Sequence, residues 1–280
     1  MTSEVMETPE RRRYRGAMQR PAFGELLRAW RTARKLSQLD MAEAAGVSAR
    51  HLSYLETGRS HPSRDMVLLL GDVLDVPLRE RNALLDAAGF APRYRETDLF
   101  SDEMEPVRRS LEFLLARHEP YPAIVCDGRW DLRLANEAAV RVFTAFVPSL
   151  KQPVNVMRLF FEGAMREFVA NFDEVGPVLM QRLHREALAH GGSTEARALL
   201  DAAIATGLPA GWRVADPGAI LAPIVPVHLR KPDLDLRLFS ALTTLGTPTD
   251  VTAQECRLET FFPADAATEA ELRRMSAARS

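Results

Sequence analysis

One stretch, residues 36–63 (LSQLDMAEAAGVSARHLSYLETGRSHPS), constrains the fold more than any other. Ser37 is a natural N-cap, because its hydroxyl can accept from the free N–H groups of the turn that follows. Asp40 adds negative charge to that first turn, at the positive end of the helix dipole. A helix is therefore expected over 38–44. Gly46 follows as a residue at ease with positive φ. Ser48 caps a second helix over 49–56, and Gly58 ends it. Two helices this short bury their contact only if a small residue stands where they cross and apolar side chains fill the wedge between them. Ala42 meets the first need; Val47 and Leu52 meet the second, and Leu55 faces inward. What remains outward on the second helix is Ala49, Arg50, Ser53 and Tyr54, with His51 beside them. This is the steric outline of a helix-turn-helix, whose second helix presents its N-terminal side chains to base edges in a major groove.

The flanking sequence extends that unit. Phe23, Leu26, Leu27 and Trp30 recur at helical spacing. A fourth helix begins near Ser63, with Met66, Leu69, Leu70, Val73 and Leu74 inward, and stops before Pro77. A fifth, over 79–88, carries Leu84 and Leu85 and ends at Gly89. Residues 21–92 are thus expected to form an all-α domain of five helices. Residues 1–20, with Arg11, Arg12, Arg13 and Arg15, read as a disordered arm, either a solvated tail or a non-specific phosphate contact. The net charge of −2 hides an asymmetry: residues 11–64 hold twelve Lys/Arg against four Asp/Glu, a local net of +8. A basic end on an acidic body suits a protein that meets phosphates at one end.

Residues 91–105 are polar and lack an apolar period, so 93–118 is expected to be a linker leading into a connecting helix over 106–116. The pattern then changes. Residues 123–126 are a short apolar run, Asp127-Gly128 is a turn signal, and Trp130, Leu132 and Leu134 alternate with Asp131, Arg133 and Ala135. These features predict a hairpin with one buried face. Asn136 then caps a helix. Helices are expected over 156–162, 164–172, 177–190 and 194–206, and strands over 219–229, 235–244 and 257–262. Strands, helices and strands in that order describe an α+β domain with an antiparallel sheet, over 119–265. Residues 266–280 read as a frayed helical tail.

The segment 36–63 closely resembles the helix-turn-helix of the phage-repressor-like, or xenobiotic response element, family, with Ser-Gln opening one helix, Ala-Gly-Val-Ser at the turn and Leu-Glu-x-Gly-Arg closing the next. That resemblance implies phosphate contacts from Gln38 and Ser48, and base contacts from Ala49, Arg50 and Tyr54. Arg50 has the fork that matches guanine O6 and N7. Arg59 and Arg64 would touch phosphates, setting register without reading sequence. The resemblance also implies that Glu56 pairs within the domain. Plainer readings stand beside these: Arg50 as a solvated helix residue, Tyr54 as an aromatic packed on the next helix, His51 as a neutral surface side chain.

Further on, PYPAIVCDGRWDLRLANEAA (120–139) and LRLFSALTTLGTPTDVTAQECRLETFFPAD (236–265) resemble the hairpin and closing strands of MmyB-like regulators. That family implies a PAS-like ligand-binding domain, one associated with a fatty acid, and a homodimer on double-stranded DNA. A buried carboxylate needs a charged or hydrogen-bonding partner. Asn136 and Arg230 are the candidates, with Trp130 as a pocket wall; a helix N-cap, a surface arginine and a core tryptophan are their alternatives.

Other classes find little support. Nothing matches a nucleophile elbow, a phosphate-binding loop, a zinc-protease helix or a dinucleotide fingerprint, so no catalysis is expected. Cys126 and Cys256 form no CxxC pair, and the histidines are scattered, so no metal is expected and the thiols read as buried in a reducing cytosol. No apolar run approaches the ~20 residues that span a bilayer, and the N-terminus lacks the apolar stretch of a signal peptide. A cytoplasmic protein without membrane contact is expected, controlled by an apolar small molecule or, alternatively, by a protein partner bound to its second domain.

Overall fold

The computed structural model describes residues 22–189, 194–206 and 224–277. It divides into two compact units, Met1–Val76 with Arg81–Arg93, and Pro77–Glu80 with Tyr94–Ser280. The arm read over 1–20 and residues 219–223 of an expected strand lie outside the described residues.

The first unit is built on α1 (Phe23–Ala33), α2 (Gln38–Ala44), α3 (Ala49–Glu56), α4 (Arg64–Val73) and α5 (Leu78–Ala87). Local chemistry sets their ends. The Ser37 hydroxyl accepts from Asp40 N–H at 3.1 Å while the Asp40 carboxylate accepts from Ser37 N–H at 3.0 Å. Ser48 and Ser63 cap α3 and α4 in the same way, accepting from His51 and Met66. Gly46 turns the chain at φ +64°. Leu27, Met41, Leu52, Leu55, Leu70 and Leu85 form the core, each buried. Ala42 is buried at the α2–α3 crossing. Gly24 fills a parallel need on α1: a Cβ there would lie 2.4 Å from the Glu56 carbonyl oxygen and 2.6 Å from that of Leu55, so α1 passes over the end of α3 only because the side chain is absent.

The second unit carries α6 (Glu105–Arg117), β1 (Ala123–Cys126), β2 (Leu132–Ala135), α7 (Glu137–Phe146), α8 (Val156–Phe161), α9 (Phe172–Ala189), α10 (Thr194–Ala205), β3 (Val227–Lys231), β4 (Leu234–Thr244), α11 (Val251–Glu255), β5 (Arg257–Pro263) and α12 (Ala266–Ala277). The five strands form one antiparallel sheet in the order β2-β1-β5-β4-β3, the α+β arrangement expected of a PAS-like domain. Every residue of β1 is buried. Ala123 and Val125 meet Leu111 and Leu115 of α6, whereas Ile124 and Cys126 join Val142, Phe143, Phe161 and Met180 from the opposite helical layer. Cover on both faces is why β1 reads as an unbroken apolar run.

Beyond Leu69, expected inward on α4 but exposed, four features differ from expectation. Trp130 is not in a strand; it sits in the turn at φ +67°, its N–H donating to the Asp127 carbonyl, and β2 starts at Leu132. Residues 164–172 form no α-helix. They hold a 3₁₀ turn, Arg166–Phe168, and α9 begins at Phe172 with Pro177 inside it. The segment read as a linker is anchored within the second unit: Leu99 and Met104 are buried beside Leu111 and Leu258, and the Thr97 hydroxyl donates to Asp250 at 2.7 Å. The segment read as a frayed tail is α12, with Leu272 in the core and Tyr121 donating to Glu269 at 2.9 Å. In both segments a few apolar residues suffice to hold a polar stretch, a signal too sparse to show as a period.

Candidate functional site

The exposed face of α3 is organised from behind by one buried carboxylate. Glu56, at the end of α3, accepts from Arg31 Nε at 2.6 Å and Nη2 at 3.0 Å, and from Gln38 Nε2 at 2.7 Å. Arg31 also donates to the Leu36 carbonyl at 2.8 Å. One carboxylate therefore joins α1, α2 and α3 and fixes the angle at which α3 stands. Burial pushes the Glu56 carboxyl up, but the hydrogen bonds from Arg31 and Gln38 and the Arg31 charge outweigh it, leaving the group below its ordinary value. The resemblance had placed Glu56 inside the domain without naming its partners; Arg31, on α1, escaped the sequence reading because nothing local sets it apart from its basic neighbours.

At the front of α3, Arg50 is exposed and its Nε donates to the Tyr54 hydroxyl at 2.9 Å. The Arg50 and Arg59 guanidinium groups lie 5.3 and 6.0 Å from the centre of the half-buried Tyr54 ring. Such contacts hold an arginine fork near the helix without using all of its N–H donors. Ser48 caps the helix, His51 and Ser53 are half-buried beside Tyr54, and Arg59 and Arg64 are exposed at either end of the loop joining α3 to α4. Ala49 is half-buried against the core, more inward than its expected place on the reading face. Gln38 is half-buried and already bonded to Glu56, so its phosphate-facing capacity is what that bond leaves.

Residues 22–84 match a helix-turn-helix domain, and residues 107–275 match the MmyB-like transcription regulator ligand binding domain. The chain belongs to the MmyB-like transcription regulators. It has a DNA-binding unit and a ligand-binding unit, both of regulatory rather than enzymatic families. Among solved structures, an RNA-binding light-oxygen-voltage receptor is 13% identical with a TM-score of 0.24, covering 99% of this chain and 69% of that one. No curated protein matches. Among the described residues, none group as three or more potential metal ligands, and no helix is long and apolar enough to cross a membrane.

In the ligand-binding unit of this MmyB-like regulator, the three candidate residues have different surroundings. Asn136 caps α7: its Oδ1 accepts from Ala139 and Ala123 N–H at 2.9 Å each, and its Nδ2 donates to the Tyr121 and Leu115 carbonyls at 2.8 and 3.3 Å. Two lone pairs and two hydrogens are all the amide has, so it organises backbone and is not free for a ligand. Arg230 is exposed on the edge strand β3, where it cannot balance a buried charge. Trp130 is buried, with the Arg182 and Arg257 guanidinium groups 4.3 and 5.1 Å from its ring.

Around that ring lies a charged cluster that sequence reading missed. Trp130 Nε1 and Arg257 Nη1 both donate to Glu186 Oε2 at 2.8 Å. Arg182 Nη1 donates to Glu259 Oε1 at 3.1 Å, and the Ser240 hydroxyl donates to the same oxygen at 2.6 Å. Arg182 Nε stands 3.4 Å from Glu186 Oε1. Arg257 and Glu259 are buried. The cluster holds two cations and two anions.

Proposed function

We propose that this chain is a sequence-specific transcription regulator that reads double-stranded DNA with the front of α3 and is controlled by a fatty-acid-like small molecule held in its PAS-like unit. The observation carrying the DNA reading is the division of labour on α3. Glu56 locks the back of the helix to Arg31 and Gln38, while Arg50 is exposed beside Tyr54 at the front. Arg50 and Tyr54 are assigned to base edges, with Ala49 offering a methyl surface, and Ser53 and His51 flanking them. Gln38, Ser48, Arg59 and Arg64 are assigned to phosphates. Two half-sites about one helical turn apart call for a homodimer. A ligand regulates such a protein only through unequal affinity for its two arrangements.

Selection of bound duplexes from random sequence by the full chain tests the reading. Arg50→Ala should relax preference at one base pair, at a cost of about 1–3 kcal/mol there. Gln38→Ala should weaken all sequences evenly. Indifference of the selected consensus to Arg50→Ala refutes the assignment. A protein partner at the second unit is the alternative regulator, and exposed apolar side chains on α6, Phe113 at 59% and Leu114 at 42%, favour it. Operator affinity unmoved by acyl compounds would decide for the partner.

A further inference from the structure

We infer that α6 is where two copies of this chain meet. The two helices pair antiparallel across a two-fold axis level with residue 111, which sets Glu105 beside the partner's Arg117 and Arg109 beside the partner's Phe113. This names the surface of the homodimer proposed above and rests on that reading.

The fold of the second unit uses only one side of α6. Leu111 and Leu115 are buried on the side toward β1, whereas Phe113 and Leu114 are exposed at 59% and 42%. Single exposed apolar residues need no explanation, but these two are adjacent and border a groove. The i,i+4 row Glu105-Arg109-Phe113 and the row Pro106-Ser110-Leu114 flank this open groove of about 550 Å³. Helices most often pack by laying an i,i+4 row of one into such a groove of the other, crossing at about 50°. Ser110 keeps the groove floor low. Its hydroxyl is turned back to the Pro106 carbonyl at 2.9 Å, so it presents no free donor to an apolar partner.

The charge order along the row says what fills the groove. It reads Glu105, Arg109, Phe113, Arg117, all exposed. A two-fold axis demands a surface that complements itself. Turned end for end about the level of residue 111, the row meets its own copy as Glu against Arg, Arg against Phe, Phe against Arg and Arg against Glu. These meetings are two ion pairs and two cations over aromatic rings. The neighbouring registers bring like charges together. An axis level with residue 109 sets Arg109 against the partner's Arg109, and one level with residue 113 sets Arg109 against the partner's Arg117 twice. Parallel helices would set each arginine against its own copy. Within one helix both kinds of contact already exist: Arg109 Nη1 lies 4.0 Å from Glu105 Oε1, and the Arg117 guanidinium lies 5.2 Å from the centre of the Phe113 ring. Association exchanges them for equivalents across the axis and buries Phe113 and Leu114. The driving force is therefore apolar, and the charges fix the register. Self-complementarity of the row favours a second copy over a foreign protein.

A pair of 13-residue helices makes a small interface, so the dimer should dissociate in the micromolar range. Sedimentation velocity of the full chain over about 1–200 μM, without DNA, reads that equilibrium. Glu105→Arg and Arg117→Glu each bring like charges together twice, and each alone should weaken association about tenfold or more. Mixed in equal amounts, the two variants form both ion pairs in a heterodimer, and association should return close to that of the unmodified chain. Both side chains are exposed, so the circular dichroism melts of the variants should match the unmodified one. Single variants that dimerise as well as the unmodified chain would place the interface elsewhere, overturning the α6 pairing and leaving the homodimer reading intact. Single variants that are monomeric and stay so when mixed overturn the antiparallel register. An unmodified chain that is monomeric up to the highest concentration also overturns the pairing. Two copies on one selected duplex would then keep the homodimer reading, and one copy would end it.

Discussion

Replacing Glu56 by Gln probes whether one carboxylate sets the posture of the reading helix. The substitution keeps the shape of the side chain, so the cost arises from charge and donor count. The native oxygens accept three hydrogen bonds, two from Arg31 and one from Gln38, at 2.6, 3.0 and 2.7 Å. A glutamine at this position offers one acceptor oxygen and turns an NH₂ group toward donors. Removing one partner of a buried ion pair costs about 3–5 kcal/mol. Arg31 keeps some contact with water, its side chain being 13% exposed, and retains its bond to the Leu36 carbonyl. A value at or just below the lower end applies, about 2–3 kcal/mol. At ~4–8 °C per kcal/mol for a domain of this size, the melting temperature of the helical unit should fall by about 10–20 °C. Circular dichroism at 222 nm on the full chain reads the transition. Acid supplies a second arm. Because the folded Glu56 carboxyl lies below its ordinary value, its contribution is present at neutral pH and is lost as pH falls through that lowered value. Glu56→Gln should lack this part of the acid sensitivity. A variant melting within about 3 °C of the unmodified chain, under 1 kcal/mol by the same conversion, would refute the idea that Glu56 ties the three helices together.

Other substitutions examine neighbouring arguments. Gly24→Ala should destabilise the helical unit by about 1–3 kcal/mol, because the atoms its Cβ meets are backbone oxygens that cannot swing away; an unchanged melt would mean that α1 can lift without penalty. Asn136→Ala removes a helix cap worth about 0.5–2 kcal/mol and leaves buried backbone groups unpaired at about 1–3 kcal/mol more, whereas Arg230→Ala on the exposed edge should stay within about 0.5 kcal/mol; urea midpoints that rank the two the other way round contradict their assigned roles. Burial raises both thiols, that of Cys256 to about 11, so iodoacetamide at pH 8 should label neither cysteine in the folded chain and both in urea, with fast labelling of the native protein as the contrary result.

The bounds of α2 and α3 were legible to the residue because their signals are local, whereas α5, expected over 79–88, runs Leu78–Ala87. Ser37, Ser48 and Ser63 each cap a helix whose start they announce, and Gly46 marks the turn between two of them. Trp130 shows where local reading fails. The alternation of Trp130, Leu132 and Leu134 is real as a pattern, but it runs through a turn residue at positive φ, and the register with β1 shifts between Val125 and Cys126. A period of two does not report where a strand begins.

The cluster around Trp130 was hidden for a deeper reason. In sequence, Arg182 and Glu186 are an ordinary i,i+4 pair of the kind that decorates exposed helices, and they lie 77 and 71 positions from the strand residues Glu259 and Arg257 that they bind. On β5, Arg257 and Glu259 flank Leu258, a pattern that reads as a polar outer face around an apolar inner one. That reading assumes that one face of the sheet meets water. Here Leu258 packs toward α6, while Arg257 and Glu259 point into the opposite layer beside Trp130 and α9. Once both faces are covered, the polar side of an alternating strand has to be interior, and its charges must find partners there. The α9 pair supplies them one for one.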